Sequence, residues 1–192
     1  AAIGDLDNDG VIDLAVGAPY ADDGGDHFGQ IWILFMQEDG TVRNFQKISA
    51  TAGDFTNNGL GVWSGFGRRI TNLGDLDQDG INEIAVGAFT DRQSGTGAGA
   101  CYILFLRADG TVRKHQKITS FQGGFTDDLD NDDFFGTDLE AMGDLNGDGI
   151  PDLAVSVRGD DDQGINKGGF YILYLNEDGI VIDQTKVVPN DG

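Results

Sequence analysis

Asp5-Leu6-Asp7-Asn8-Asp9-Gly10 returns as Asp75-Leu76-Asp77-Gln78-Asp79-Gly80 and again as Asp144-Leu145-Asn146-Gly147-Asp148-Gly149, at steps of 70 and 69 residues. Two other markers keep the same step. One is the pair Asp39-Gly40, Asp109-Gly110 and Asp178-Gly179; the other is an apolar run that ends at Phe35, Phe105 and Tyr174. Three markers in one register define an internal repeat, and a period of this length belongs to architectures built by stacking identical units. The one-residue difference in step fits within a single loop.

Each unit reads as short strands. Ile12 to Val16 is apolar and lies between the acidic loop and Gly17. Gln30 to Met36 is nearly all apolar, which suits a strand covered on both faces. Asp39-Gly40 is a turn signal between such runs. Thr41 to Ile48 follows with looser alternation, and Gly65 to Gly74 opens the next unit. Glycine-rich joints interrupt every candidate helix, so the fold class is all-β. Four-stranded units of this kind are the blades of a β-propeller, which hide their faces against neighbouring blades. The expected division is 1–64, 65–132 and 133–192, three blades of one propeller domain. The first is expected to lack its opening strand. Propellers close with typically four to eight blades, so the chain reads as an arc of a larger ring, cut from a longer polypeptide or completed by copies.

The chain has 192 residues, with 33 Asp plus Glu against 12 Lys plus Arg, a formal net charge of −21. Such a chain is repelled by phosphate backbones and by anionic membrane surfaces. One Cys builds no intrachain disulfide. No apolar run approaches the roughly 20 residues that span a bilayer, and the N-terminal residues have no signal-peptide pattern. Apolar residues still make up 39% of the chain, twelve of them Phe, enough for a sizeable core.

Eleven of the 33 acids fall in the repeated loops. Their pattern is Asp-x-Asp-x-Asp-Gly-x-x-Asp: Asp5, Asp7, Asp9 and Asp13; Asp75, Asp77, Asp79 and Glu83; Asp144, Asn146, Asp148 and Asp152. Alternate residues converge when a chain wraps tightly, and Gly at the sixth place permits the sharp turn. Calcium takes six to eight hard oxygen ligands in a flexible shell. The seventh-place carbonyls of Val11, Ile81 and Ile150 complete each expected set. An EF-hand needs a Glu at the twelfth place and flanking helices; here that place holds Val16, Val86 and Val155, inside strands. The expectation is therefore three Ca²⁺ sites in β-hairpin loops, with Mg²⁺ the lesser candidate. Loop three, with Asn146 in place of a carboxylate, is expected to bind most weakly.

Phe66-Gly67 before loop two, Gly87-Ala88-Phe89 after it, Gly17-Ala18-Pro19 in unit one and the strand Gly99 to Phe105 resemble the FG-GAP repeat. Unit three keeps Phe135-Gly136, but its closing triplet has drifted to Ser156-Val157-Arg158. The resemblance implies the N-terminal propeller of integrin alpha subunits, commonly of seven blades. It also implies calcium loops that rigidify the ring on the face opposite the usual ligand face. Similar repeats occur in large bacterial and algal surface proteins, and some propellers of this fold are lectins.

Other candidates are weaker. Arg158-Gly159-Asp160 spells a tripeptide that integrins recognise, at a place where Gly and Asp are common. Acidic clusters at Asp127, Asp128, Asp130, Asp132 and Asp133, at Asp22, Asp23 and Asp26, and at Asp160 to Asp162 read as solvated loops, as weak cation sites or as an acidic contact surface. His27 and His115 are isolated, with no partner for catalysis. Cys101 and Trp32 read as core. Trp63 reads either as blade packing or as an exposed ring for a sugar or a partner. No Walker-type phosphate loop and no Asn-x-Ser/Thr acceptor occur. The sequence thus points to a non-enzymatic, extracellular or cell-surface adhesion module with a protein or glycan ligand. A building block of a surface filament and a lectin are the alternatives.

Overall fold

The computed structural model describes residues 1–161 and 167–188. Within them, every regular element is a strand: β1 (Ala2–Gly4), β2 (Asp13–Ala18), β3 (Gln30–Met36), β4 (Val42–Ser49), β5 (Phe66–Gly74), β6 (Glu83–Ala88), β7 (Ala100–Leu106), β8 (Val112–Ile118), β9 (Phe135–Gly143), β10 (Asp152–Val157), β11 (Gly169–Leu175) and β12 (Val181–Val187). They form three four-stranded antiparallel meanders, β1 to β4, β5 to β8 and β9 to β12. Together they are an open arc of propeller blades. The first sheet, expected to lack its opening strand, has a short one, the three-residue β1, which pairs Ala2 with Leu14 and Gly4 with Asp13. No helix in the described residues is long and apolar enough to cross a membrane.

The meander sorts the loops. The acidic loops (β1–β2, β5–β6, β9–β10) and the Asp-Gly turns lie at one end of each sheet. The β2–β3 and β4–β5 connections, with their counterparts, lie at the other. The apolar strands feed two cores because side chains alternate across a sheet. Cys101, Ile103 and Phe105 of β7 enter a core shared with the third sheet, together with Phe135, Leu173 and Leu175. Ala100, Tyr102, Leu104 and Leu106 enter a core shared with the first sheet, with Ile31, Ile33 and Phe35. Among the described residues, only the middle sheet is covered on both sides, so β7 is buried along its whole length while β3 and β11 alternate. Trp32 shows the difference. It is half-exposed, packed edge-on against exposed Phe45 at 5.3 Å, and not core as expected. Its counterpart Tyr102 is fully buried. The aromatic side chain is the same size of feature in both; the missing neighbour decides its burial.

Glycines at matching places in the repeat are joints between sheets. Gly29 bridges Phe66 and Gly99 bridges Phe135, both in parallel fashion. A Cβ on Gly17 would stand 1.9 Å from the Gly67 carbonyl oxygen, and one on Gly87 2.1 Å from that of Gly136. No side chain fits such a gap. The third sheet has Ser156 at this place, and its Oγ accepts a hydrogen bond from the Asp138 N–H at 2.8 Å within its own blade.

Candidate metal centres

Loop geometry comes first from the acid at the first place of each motif. Asp5 accepts the N–H groups of Asp9 and Gly10 at 3.0 and 2.8 Å. Asp75 does the same for Asp79 and Gly80, both at 2.9 Å. Asp144 takes those of Asp148 and Gly149 at 3.1 and 2.9 Å. The acid at the fifth place closes a smaller turn in all three, accepting from Val11, Ile81 and Ile150. The acid at the ninth place fastens the loop to the sheet. Asp13 accepts from Leu6 and Met36, and Asp152 from Leu145 and Leu175. Glu83, one methylene longer, accepts from Leu76 at 2.7 Å with Oε2 alone.

The loops differ in what remains. Asp5, Asp7 and Asp13 bring carboxylate oxygens within 4.8 Å of one another, as do Asp75, Asp77 and Glu83. Buried oxygens with no hydrogen-bond partner lie in these two loops: Asp7 Oδ1, Asp77 Oδ1 and Glu83 Oε1. A buried, unpaired carboxylate oxygen costs free energy unless a counter-charge meets it, so the donor set fits a hard divalent cation. Burial first lifts Glu83 to about 7, with the Asp77, Asp79 and Asp75 charges adding to it. Burial also raises Asp13. Loop three gathers no comparable set among the described residues. There the Asn146 amide donates to Asp148 Oδ2 at 2.9 Å, and the loop lies open to solvent.

The FG-GAP repeat family matches residues 1–34 and 139–174. The chain carries FG-GAP repeats. Its relatives include mouse integrin alpha-2, 35% identical over 159 residues that cover 81% of this chain and 12% of the relative. Integrin alpha-5 of Xenopus laevis is 33% identical over 174 residues, 85% of this chain and 15% of the relative. Integrin alpha-3 of Cricetulus griseus is 33% identical over 159 residues, 83% and 14%. The chain therefore spans 12% to 15% of the length of these relatives.

Several charged residues have structural work that sequence reading missed. A Lys–Asp pair recurs in every blade, at the end opposite the acidic loops: Lys47 with Asp23, Lys117 with Asp91 and Lys186 with Asp160. The middle pair is buried, with Lys117 Nζ 3.0 Å from both Asp91 oxygens. Hydrogen bonds from Lys47, Thr51 and Ser49 hold Asp23 down to about 2. The signal was present as lysines at the repeat step, 47, 117 and 186. Asp160 is 3% exposed in its pair, and the Arg158 guanidinium lies over the Phe134 ring at 4.7 Å. Both charged ends of the Arg158-Gly159-Asp160 tripeptide are thus engaged internally. Asp162 lies outside the described residues. Within the long acidic cluster, Asp133 is buried and accepts the Asp130 N–H at 2.8 Å, and Asp127 accepts the Tyr171 hydroxyl. Cys101 is buried, which pushes its thiol up. His115 packs edge-on against Phe55 at 4.9 Å, and burial lowers it. Trp63 is 44% exposed and stacks on His27 at 4.1 Å, with Tyr20 edge-on to the same imidazole at 5.6 Å.

Proposed function

We propose that this chain is a segment of a calcium-stabilised FG-GAP propeller that works outside the cell as a non-enzymatic adhesion or protein-binding module. Its three blades, 1–64, 65–132 and 133–192, form parts of one propeller domain whose remainder, or neighbouring copies, complete the ring. The unpaired inward oxygens of Asp7, Asp77 and Glu83 carry the cation reading. Asp5, Asp7, Asp9, Asp13 and the Val11 carbonyl would hold one ion. Asp75, Asp77, Asp79, Glu83 and the Ile81 carbonyl would hold a second. Asp144, Asn146, Asp148, Asp152 and the Ile150 carbonyl would hold a third. Bound calcium supplies the counter-charge that lets each loop close. The loop then fixes the hairpin that starts its blade, so binding free energy becomes folding free energy. Millimolar calcium outside cells would keep even weak sites filled. The adhesion role, surface location and protein partners rest on likeness to integrin alpha subunits. Thermal melts in calcium and in chelator test the central claim: a midpoint higher in calcium is expected, and an unchanged midpoint refutes it.

A second reading, sugar binding, has its own observation. Exposed Tyr20 and Trp63 pack on half-buried His27 in a shelf of rings beside the solvent-facing carboxylate of Asp22. Aromatic faces and carboxylates together suit a pyranose. Glycan binding that Trp63→Ala abolishes would establish it; an array without binders would remove it.

A further inference from the structure

Arg43 and Arg113 occupy matching places in the repeat, and each reaches back onto the loop of its own blade. Arg43 Nη2 pairs with Asp7 Oδ2 and lies 3.1 Å from Asp9 Oδ2. Arg113 Nη2 lies 2.5 Å from Asp77 Oδ2 and 2.9 Å from Asp79 Oδ2. Each arginine sits at an irregularity in strand register, between the Phe35–Asn44 and Met36–Val42 pairs or between the Phe105–Lys114 and Leu106–Val112 pairs. A bulge of this kind re-aims a side chain. The guanidinium of Arg113 is also near the Phe105 ring, at 5.7 Å. In both loops the guanidinium takes the outer oxygen of the third-place acid and leaves the inner one buried and unpaired.

Blade three supplies an internal control. The same irregularity recurs between Tyr174–Asp183 and Leu175–Val181, but the residue it presents is Ile182. The acid that the arginine would meet is also gone, since Asn146 stands there. The two changes cancel in charge. Four carboxylates against one guanidinium leave three negative charges in loops one and two; three carboxylates and no arginine leave the same three in loop three.

We infer that Arg43 and Arg113 are positioning residues for the cation loops: built-in counter-ions that offset the third-place acid and turn its inner oxygen toward the ion. Loop three has shed acid and arginine as a pair. The inference rests on the cation reading given above. A surface ion pair of this kind adds little to global stability, so its effect belongs in loop geometry and cation affinity.

The test uses four forms of the full chain: unaltered, Asp7→Asn, Arg43→Ile and the double variant. Calcium titrations are followed at the amide signal of Gly10, whose N–H lies on Asp5 Oδ2, with Gly149 of loop three as the folding control. Asp7→Asn alone should weaken loop-one affinity at least about tenfold, because one charge near a divalent ion is lost while the arginine stays. The double variant should recover to within about threefold of the unaltered loop. A double variant as weak as Asp7→Asn, with Gly149 unchanged, overturns the inference. A flat Gly10 response in the unaltered protein overturns the cation reading itself. Should Asp7→Asn fail to fold, loop three gives the reciprocal test: Ile182→Arg should weaken the Gly149 titration, and adding Asn146→Asp should restore it. No restoration there overturns the inference as well.

Discussion

Loop two and loop three share a motif, a turn and nearly the same hydrogen bonds, yet the leucine that anchors the first is buried and that of the second is not. Leu76, next to the first acid of loop two, is 0% exposed; Leu145, its counterpart, is 46% exposed. Ile150 of the third blade packs into the core that holds Leu76, and loop one is covered likewise, with Asn82 of the second blade donating to the Ile3 carbonyl at 3.1 Å. Among the described residues, no neighbouring blade lies over loop three. The motif therefore sets the path of the backbone, while the neighbouring blade removes the water. Among the three acidic loops, the buried, unpaired oxygens of the described residues lie where both operate.

The largest test of that contrast removes the cover. Gly87→Val places side-chain atoms against the Gly136 carbonyl and should separate blade three from blade two. A loss of about 3 kcal/mol is expected from overpacking, a fall of roughly 8 °C in melting midpoint for a chain of this size. Hydrogen exchange at Leu76 should quicken in the same variant. Ser156→Val, at the equivalent place in blade three, should change neither loop three nor the midpoint by more than about 2 °C.

Leucine truncation asks the question more locally. Leu76→Ala should cost roughly 3 kcal/mol, as a cavity opens in the shared core. Leu145→Ala should cost under about 0.5 kcal/mol, since its side chain is already wet. Denaturant unfolding of the two variants in calcium would compare them; equal losses would break the contrast.

Acid titration is a smaller effect with a definite sign. Glu83 lies near 7 in the cation-free fold and near its ordinary 4.5 when unfolded. Between those values the folded state holds the proton, so stability falls as pH rises through the window. Asp133, lifted to about 6 by burial, adds in the same direction. The chelated protein should thus lose stability from pH 4.5 to 7, on the order of 3 kcal/mol from Glu83. Glu83→Gln should flatten much of that slope, and calcium should suppress it.

The smallest expected effect is a ranking. The Gly149 signal should saturate at several-fold higher calcium than that of Gly80, because an exposed loop feels the ion through more water. The sequence led to the same order by counting carboxylates at Asn146. With the arginines included, the loops carry equal charge, and exposure alone separates them. A combined Asn146→Asp and Ile182→Arg variant should therefore leave loop three the weakest.

The repeat, the strands and the loop turns were legible because their causes are local. The strand Gln30–Met36 could be bounded to the residue by its apolar run, and the Asp-Gly turns announced themselves. Burial was not legible in the same way. Trp32 and Tyr102 sit in equivalent strands, and only a neighbouring sheet tells them apart. The Lys–Asp pairs and the arginine contacts join residues more than twenty positions apart, so periodicity marked their places without naming their partners. Asp160 is the plainest case: three letters suggested a ligand for a receptor, whereas its carboxylate is committed to Lys186.

The glycine joints carry one more consequence, for the curvature of the arc. At both joints the spacer between blades is a hydrogen atom on each side, so peptide dimensions fix how far one blade turns from the next. Side-chain volume has no say there. The cores can drift in composition while the bend per blade stays constant, much as identical hinges bend a chain of unlike plates. At Ser156 that dictation by the main chain stops, because a side chain stands where the other two sheets leave the α-carbon bare.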